Sequence, residues 1–171
     1  MARPLTDEEF TELVHAAWPG LYRTAYLMVG EHQLAEDLVQ TALAKTYASW
    51  RKVQDPAAAP AYARVVLANT AATWFRRRGW RNERPTEVLP ELASDTDPST
   101  RPAVVDALRE LAPRQRAVVV LRYYDDLSVR EVARALGISE GTVKSQTSDA
   151  LGRLRELLGD AVIPADLGSA S

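Results

Sequence analysis

The chain has 171 residues, 46% hydrophobic and 26% charged, enough to bury one ordinary core or two small ones. It contains no cysteine, which excludes a disulfide framework, a thiolate metal site and a cysteine nucleophile. Its formal charge of −2 argues against a protein that holds nucleic acid by bulk positive charge alone. No apolar run approaches the roughly 18 residues of a membrane span, and MARPLTDEEF lacks a signal-peptide core, so a soluble cytoplasmic protein is expected.

Helical periodicity dominates from the N-terminus onward and no alternating strand pattern appears, which predicts an all-α fold. A first helix is expected over residues 6–29, interrupted before Pro19. A second is expected over 32–50, where Leu34, Leu38, Val39, Ala42, Leu43, Thr46, Tyr47 and Trp50 form a broad stripe. Glu36, Asp37 and Gln40 lie away from that stripe. Paired carboxylates sometimes serve acid–base chemistry or metal ligation. Nothing converges on these, because the only histidines are His15 and His32 and no glycine-rich phosphate loop exists. A solvated face and a docking surface for a basic partner both remain open.

VQDPAAAP (53–60) reads as a loop, and a third helix follows from about Ala61 to Arg78. Its end, TWFRRRGWRNERP, interleaves five arginines (76, 77, 78, 81 and 84) with Trp74, Phe75 and Trp80. Guanidinium groups track phosphates and aromatic rings stack on unpaired bases. A basic helix C-terminus favoured by its dipole is the competing account. Asn69, on the flank of the same helix, suits either the edge of an extruded base or a backbone hydrogen bond. Residues 84–102 contain four prolines among Ser, Thr and Asp, the composition of a tether, and residues 85–102 carry four acids against one base. Short helices are expected at 103–111 and 114–124, and DAVIPADLGSAS (160–171) reads as a disordered tail.

Between these lies LSVREVARALGISEGTVKSQTSDALGRLRELL (127–158). Ser128 with Glu131 spells a capping box, Ala133 is small where helices cross, Gly137 suits a turn of positive φ, and Ser139 can cap the next helix. The spacing is that of a helix-turn-helix, whose second helix lies in a DNA major groove, although an ordinary αα-corner shares it. Helical projection turns Val143, Thr147, Ala150, Leu151, Leu154, Leu157 and Leu158 to the core. It leaves Thr142, Lys144, Ser145, Gln146, Ser148, Asp149, Gly152 and Arg153 outward. Lys144 and Arg153 suit phosphate or guanine, and Gln146 suits adenine. Two bases and two acids cancel between Ser139 and Arg153, so this unit is expected to bind DNA weakly alone.

Three stretches in this order, LYRTAYLMVGEHQLAEDLVQ with PAYARVVLANTAATWFRRR, then LAPRQRAVVVLRYYDDLSVREVARALGISEGTVKSQ, resemble bacterial RNA polymerase sigma factors. The similarity is to the extracytoplasmic-function type, and within it to the actinobacterial sigma-E-like subgroup, over roughly residues 6–158. The resemblance implies a two-domain all-α protein: a region 2-like bundle (1–84), a flexible acidic linker (85–102), a region 4-like helix-turn-helix domain (103–159) and the tail. It implies a factor without catalytic activity, metal or cofactor, working with core polymerase and promoter DNA.

In that reading Glu36, Asp37, Leu38 and Gln40 dock on the clamp helices of the polymerase β′ subunit. Gln54, Asp55, Asn69, Arg76, Arg77, Arg78, Trp80 and Arg81 engage the −10 element, the 53–60 loop standing where relatives capture a flipped base. Arg130, Thr142, Lys144, Ser145, Gln146, Ser148, Asp149 and Arg153 read the −35 element while their domain sits on the β flap. An anti-sigma partner often holds such proteins. Asp149 departs from the family, standing where a basic residue is frequent, and the 53–60 loop is richer in alanine and proline than in many relatives. From the residues alone, a polymerase-independent helix-turn-helix regulator is the alternative, and an enzyme built on Glu36 and Asp37 a remote third.

Overall fold

The computed structural model describes residues 3–77 and 102–159, which form seven α-helices and, among the described residues, no strand. The expected tether up to Arg101, the tail from Asp160, and Arg78, Trp80 and Arg81 lie outside these residues.

Helix α1 (Asp7–Val29) begins at a capping box: Thr6 accepts from the Glu9 amide while the Glu9 carboxylate accepts from the Thr6 amide at 2.7 Å. The expected break at Pro19 does not occur; the helix runs through it. Pro19 and Gly20 are both exposed, so water can satisfy the carbonyl that proline leaves without a partner. Gly30, at φ 74°, ends the helix in the left-handed conformation.

Helix α2 (His32–Ala48) buries Ala35, Leu38, Val39, Ala42, Leu43 and Thr46 against α1 and α3 (Ala59–Arg77). Tyr47, expected in the buried stripe, is 48% exposed and donates its hydroxyl to Asp7. Beyond α2 a short 3-10 turn carries Trp50, which is buried with Leu5, Leu13 and Ala59 and donates from Nε1 to the Thr6 carbonyl at 2.9 Å. This fastening fixes the start of the 53–58 segment, where the Asp55 carboxylate caps a second 3-10 turn by accepting from the Ala57 amide. The rings of Tyr22, Tyr26 and His32 cluster together, His32 stacked on Tyr22 and tilted against Tyr26, and its Nδ1 is hydrogen-bonded to the Tyr22 hydroxyl.

The second half holds α4 (Pro102–Arg109), α5 (Pro113–Val119) running into a wide π turn over 120–124, α6 (Val129–Leu136) and α7 (Glu140–Leu158). Helix α7 packs across α4, α5 and α6. Leu157, expected in the core, is 38% exposed, while the neighbouring Leu158 packs against the core.

The two halves are docked on each other. Helix α1 touches α4, α5 and the π turn, and α3 touches α5 and α6, so that one apolar core runs from Leu21, Ala25 and Met28 through Ala72 to Val118, Leu121 and Leu136. Polar bonds cross the same boundary. Thr24 donates to Asp125 at 2.8 Å, and Arg109 Nη2 donates to the Tyr26 hydroxyl at 3.2 Å and the Gly30 carbonyl at 3.3 Å.

Candidate nucleic-acid interface

The helix-turn-helix is assembled by its caps. Ser128 and Glu131 form the reciprocal box that opens α6. Gly137, at φ 66°, closes the helix with its amide on the Ala133 carbonyl, and the Ile138 amide shares that acceptor. Ser139 then caps α7 by accepting from the Thr142 amide at 3.0 Å. Val143, Thr147, Ala150, Leu151 and Leu154 are buried. Lys144, Ser145, Ser148, Asp149 and Arg153 are exposed, Thr142 and Gln146 half-buried, and Arg130 exposed on α6. The predicted face is therefore present and open. Part of its charge is already spent: Arg153 donates to Glu156 at 3.0 Å, so the net attraction for phosphate is small.

The second surface is one side of α3. Asn69, Arg76 and Arg77 are exposed, with Gln54 and Asp55 exposed at its N-terminal approach. Tyr62, which sequence reasoning passed over, is 38% exposed on the same helix. Its separations from Asn69 and Arg76 are multiples of seven, so all three share one face with Thr73. That face presents a ring, an amide, a hydroxyl and a guanidinium over about 21 Å of helix, the length of some six base steps. The spacing was available in the sequence; a tyrosine remote from the arginine cluster did not announce itself.

Arg76 has an occupant in this arrangement. Its Nη1 donates to the Leu136 carbonyl at 3.1 Å, at the end of α6. A Cβ on Gly137 would stand 2.8 Å from the same nitrogen. The basic end of α3 thus rests on the turn of the helix-turn-helix.

The third surface is the outer side of α2. Glu36, Asp37 and Gln40 are exposed, with Gln33 donating to the Asp37 carboxylate at 3.0 Å. Leu38, expected among them, is fully buried (0% exposed) and cannot meet a partner. It faces inward because its neighbours at i−3, i+1 and i+4, Ala35, Val39 and Ala42, define the core side. Among the described residues, no group of three or more His, Asp or Glu is placed to hold a metal ion.

Electrostatics at the boundary between the halves are unusual. Arg116 on α5 is 4% exposed, and burial together with the nearby Arg109 guanidinium lowers its pKa to about 10. Burial raises the Asp125 carboxyl above the ordinary range, partly opposed by the Thr24 hydrogen bond and by Arg64. Burial raises the Tyr26 phenol, partly opposed by Arg109.

Two helical units, one carrying an exposed aromatic–basic helix face and the other an open helix-turn-helix, are the arrangement of a transcription protein. The family model for sigma-70 region 2 matches residues 13–81, and that for sigma-70 region 4 matches residues 101–154. The chain belongs to the RNA polymerase sigma factors of the extracytoplasmic-function type, which bind core RNA polymerase and direct promoter-specific initiation.

Within that family it is 46% identical to the RNA polymerase sigma-E factor of Streptomyces coelicolor, over 88% of this chain and 86% of the relative. The corresponding factor of Streptomyces antibioticus is 45% identical over 88% of this chain and 84% of its own. The ECF RNA polymerase sigma factor SigM of Mycobacterium tuberculosis is 31% identical over 88% and 77%. Among solved structures, the sigma factor RpoE of Bartonella quintana, in complex with the anti-sigma factor NepR, is similar with a TM-score of 0.67 at 26% identity. That match covers 88% of this chain and 97% of the other.

Proposed function

We propose that this sigma factor works without catalysis of its own, in the cytoplasm, by dividing promoter recognition between two weak grips. The outer face of α2, with Glu36, Asp37 and Gln40, docks on the clamp helices of the polymerase β′ subunit, and the region 4-like half sits on the β flap. The face of α3 engages the −10 element: Arg76, Arg77 and, in the following segment, Arg78, Trp80 and Arg81 hold the separated strand, and Tyr62 offers a ring against an unstacked base. Asn69 presents its amide to a base edge, and Gln54 and Asp55 border the place of an extruded base. Arg130 and the α7 residues Thr142, Lys144, Ser145, Gln146, Ser148, Asp149 and Arg153 face the −35 element. The domain division at residues 84 and 103 follows from that assignment.

The observation that carries this reading is the alignment of Tyr62, Asn69, Thr73 and Arg76 on one side of α3. A duplex-only repressor has no use for a stacking ring beside an amide. An anti-sigma partner is a further part of the proposal, supported by the similar Bartonella factor having been captured with one.

Run-off transcription and mobility shift on promoter duplex test it together. The purified chain should scarcely retain duplex DNA at physiological salt, and should do so and initiate once core polymerase is added. Replacing Arg76 and Arg77 by alanine together should remove strand opening and spare polymerase binding. Tight sequence-specific binding by the chain alone would return the reading to a polymerase-independent regulator.

A further inference from the structure

On the side of α7 turned away from the core, one charge stands among short side chains. At 100° per residue, Thr142, Ser145, Asp149 and Gly152 lie on the line most nearly opposite the buried Val143, Thr147, Ala150, Leu151 and Leu154. Two of the four hydroxyl and carboxyl groups' neighbours are engaged within the helix itself: Thr142 Oγ1 is hydrogen-bonded to Ser139 Oγ at 2.8 Å, and Ser145 Oγ donates to the Thr142 carbonyl at 3.1 Å. A Cβ on Gly152 would meet nothing within 4 Å. Glycine inside a helix is unfavourable relative to alanine, and the packing of this chain does not require it there. Short side chains along that line let the helix come close to base edges in a major groove.

Asp149 differs from its neighbours on the line. It is exposed, and among the described residues its carboxylate takes part in no hydrogen bond or ion pair. Arg153 stands one turn further on, at the i+4 spacing that favours a pair, but donates to Glu156 at 3.0 Å instead. The carboxylate therefore meets DNA without a partner of its own. Phosphates repel it, so it is a handicap on this face unless a base supplies a donor. A carboxylate only accepts. In the major groove guanine O6 and N7 and thymine O4 are acceptors, and adenine sets its N7 acceptor beside the N6 amino group. Cytosine presents the N4 donor alone.

We propose that Asp149 is a specificity-determining residue of this sigma factor, its carboxylate accepting a hydrogen bond from N4 of one cytosine in the −35 element and disfavouring the other bases at that position. This rests on the −35 reading of α7.

The test uses the full chain with core polymerase. Duplexes carry the −10 element of a promoter that this holoenzyme transcribes, joined to a randomised −35 element, and the retained sequences are compared with the input. Asp149→Ala and Asp149→Asn change an exposed side chain and leave the core intact. The position read by Asp149 is the one whose profile Asp149→Ala flattens. There the parent should favour a C·G pair about tenfold, and the alanine variant should be indifferent. Asp149→Asn should shift the preference toward A·T, because an amide pairs with adenine N6 and N7 together. The other positions should keep their profiles.

Unchanged profiles in both variants overturn the assignment. So does a parent preference for A·T at the position that Asp149→Ala flattens. Variants that retain every sequence more strongly and to the same extent show a carboxylate that only repels phosphates, which overturns it as well. A parent holoenzyme indifferent to the whole randomised element, while still opening the −10 element, overturns the −35 reading of α7 and the assignment with it.

Discussion

Arg109 Nη2 donates to the carbonyl of Gly30 at 3.3 Å, joining residues 79 positions apart at the C-terminal end of α1. The last turn of α1 contains no basic residue of its own. Arg109 supplies the cation that the helix dipole favours there, and Arg116 stands close by, its Nη1 3.6 Å from where a Gly30 side chain would begin. One half of the molecule thus completes the helix terminus of the other.

Arg109→Ala removes the bonds to both Gly30 and Tyr26. Hydrogen bonds from a charged donor contribute about 1.5–3 kcal/mol each at most, and partial exposure reduces that here. A loss of about 1–3 kcal/mol is expected. Urea unfolding followed by tryptophan fluorescence, which reports only on the first half because all four tryptophans precede residue 81, and by far-ultraviolet circular dichroism measures it. The two transitions, coincident in the parent chain, should separate as the halves uncouple.

Asp125 gives the docked state a pH dependence of known sign. Burial raises its folded pKa above the value in the unfolded chain. Below the unfolded value both states are protonated and Asp125 costs nothing. As pH rises from there through the folded value, the unfolded state ionises first and stability falls; above the folded value the penalty is constant. Asp125→Asn keeps an acceptor for Thr24, so it should raise the thermal midpoint at pH 7 and flatten the profile on the acid side. Thermal melts of both proteins across that range measure the difference. A variant less stable than the parent at pH 7 would show that the charge is compensated.

Tyr62→Ala should separate DNA handling from stability. The ring is 38% exposed and is not part of either apolar core cluster. Stability should therefore change by less than about 0.5 kcal/mol. Base stacking is worth about 1–3 kcal/mol, so open-complex formation with core polymerase should fall fivefold or more. Permanganate footprinting of unpaired thymines reads the opening; a full signal from the variant would remove Tyr62 from the −10 surface.

Leu38 and Asp37 are neighbours with opposite expected phenotypes. Leu38→Ala empties a fully buried site and should cost about 2–5 kcal/mol. Asp37→Asn leaves the fold alone and should weaken the complex with core polymerase. Urea titration and a pull-down with core polymerase distinguish them. Loss of polymerase binding by Leu38→Ala at unchanged stability would restore that residue to the docking surface.

Much of this is written in local patterns. Capping boxes, a left-handed glycine and 3.6-residue periodicity depend on neighbours within one turn, so the helix-turn-helix and the exposed faces of α2, α3 and α7 are legible from Ser128, Glu131, Gly137, Ser139 and their spacing. The misreadings have different origins. The resemblance put Leu38 on the docking surface, whereas the 3.6-residue stripe already turned it to the core, adjacent helical positions lying about 100° apart. Pro19 reads as a stop because its effect depends on whether water reaches the freed carbonyl. Thr24, Arg109, Arg116 and Asp125 carry no local signal at all. Their meaning exists only when residues some 80 to 100 positions apart meet, and a lone buried arginine looks in the sequence like any surface one.

The 24-residue connection between Arg77 and Pro102 also sets the terms on which docking competes. Halves joined by so short a stretch meet at an effective concentration on the order of millimolar, far above that of any partner free in solution. A contact too weak to hold two separate proteins together is sufficient under that condition. Cleaving one peptide bond anywhere between residues 78 and 101 would remove the advantage, turning a concentration-independent equilibrium into one that dilution dissolves.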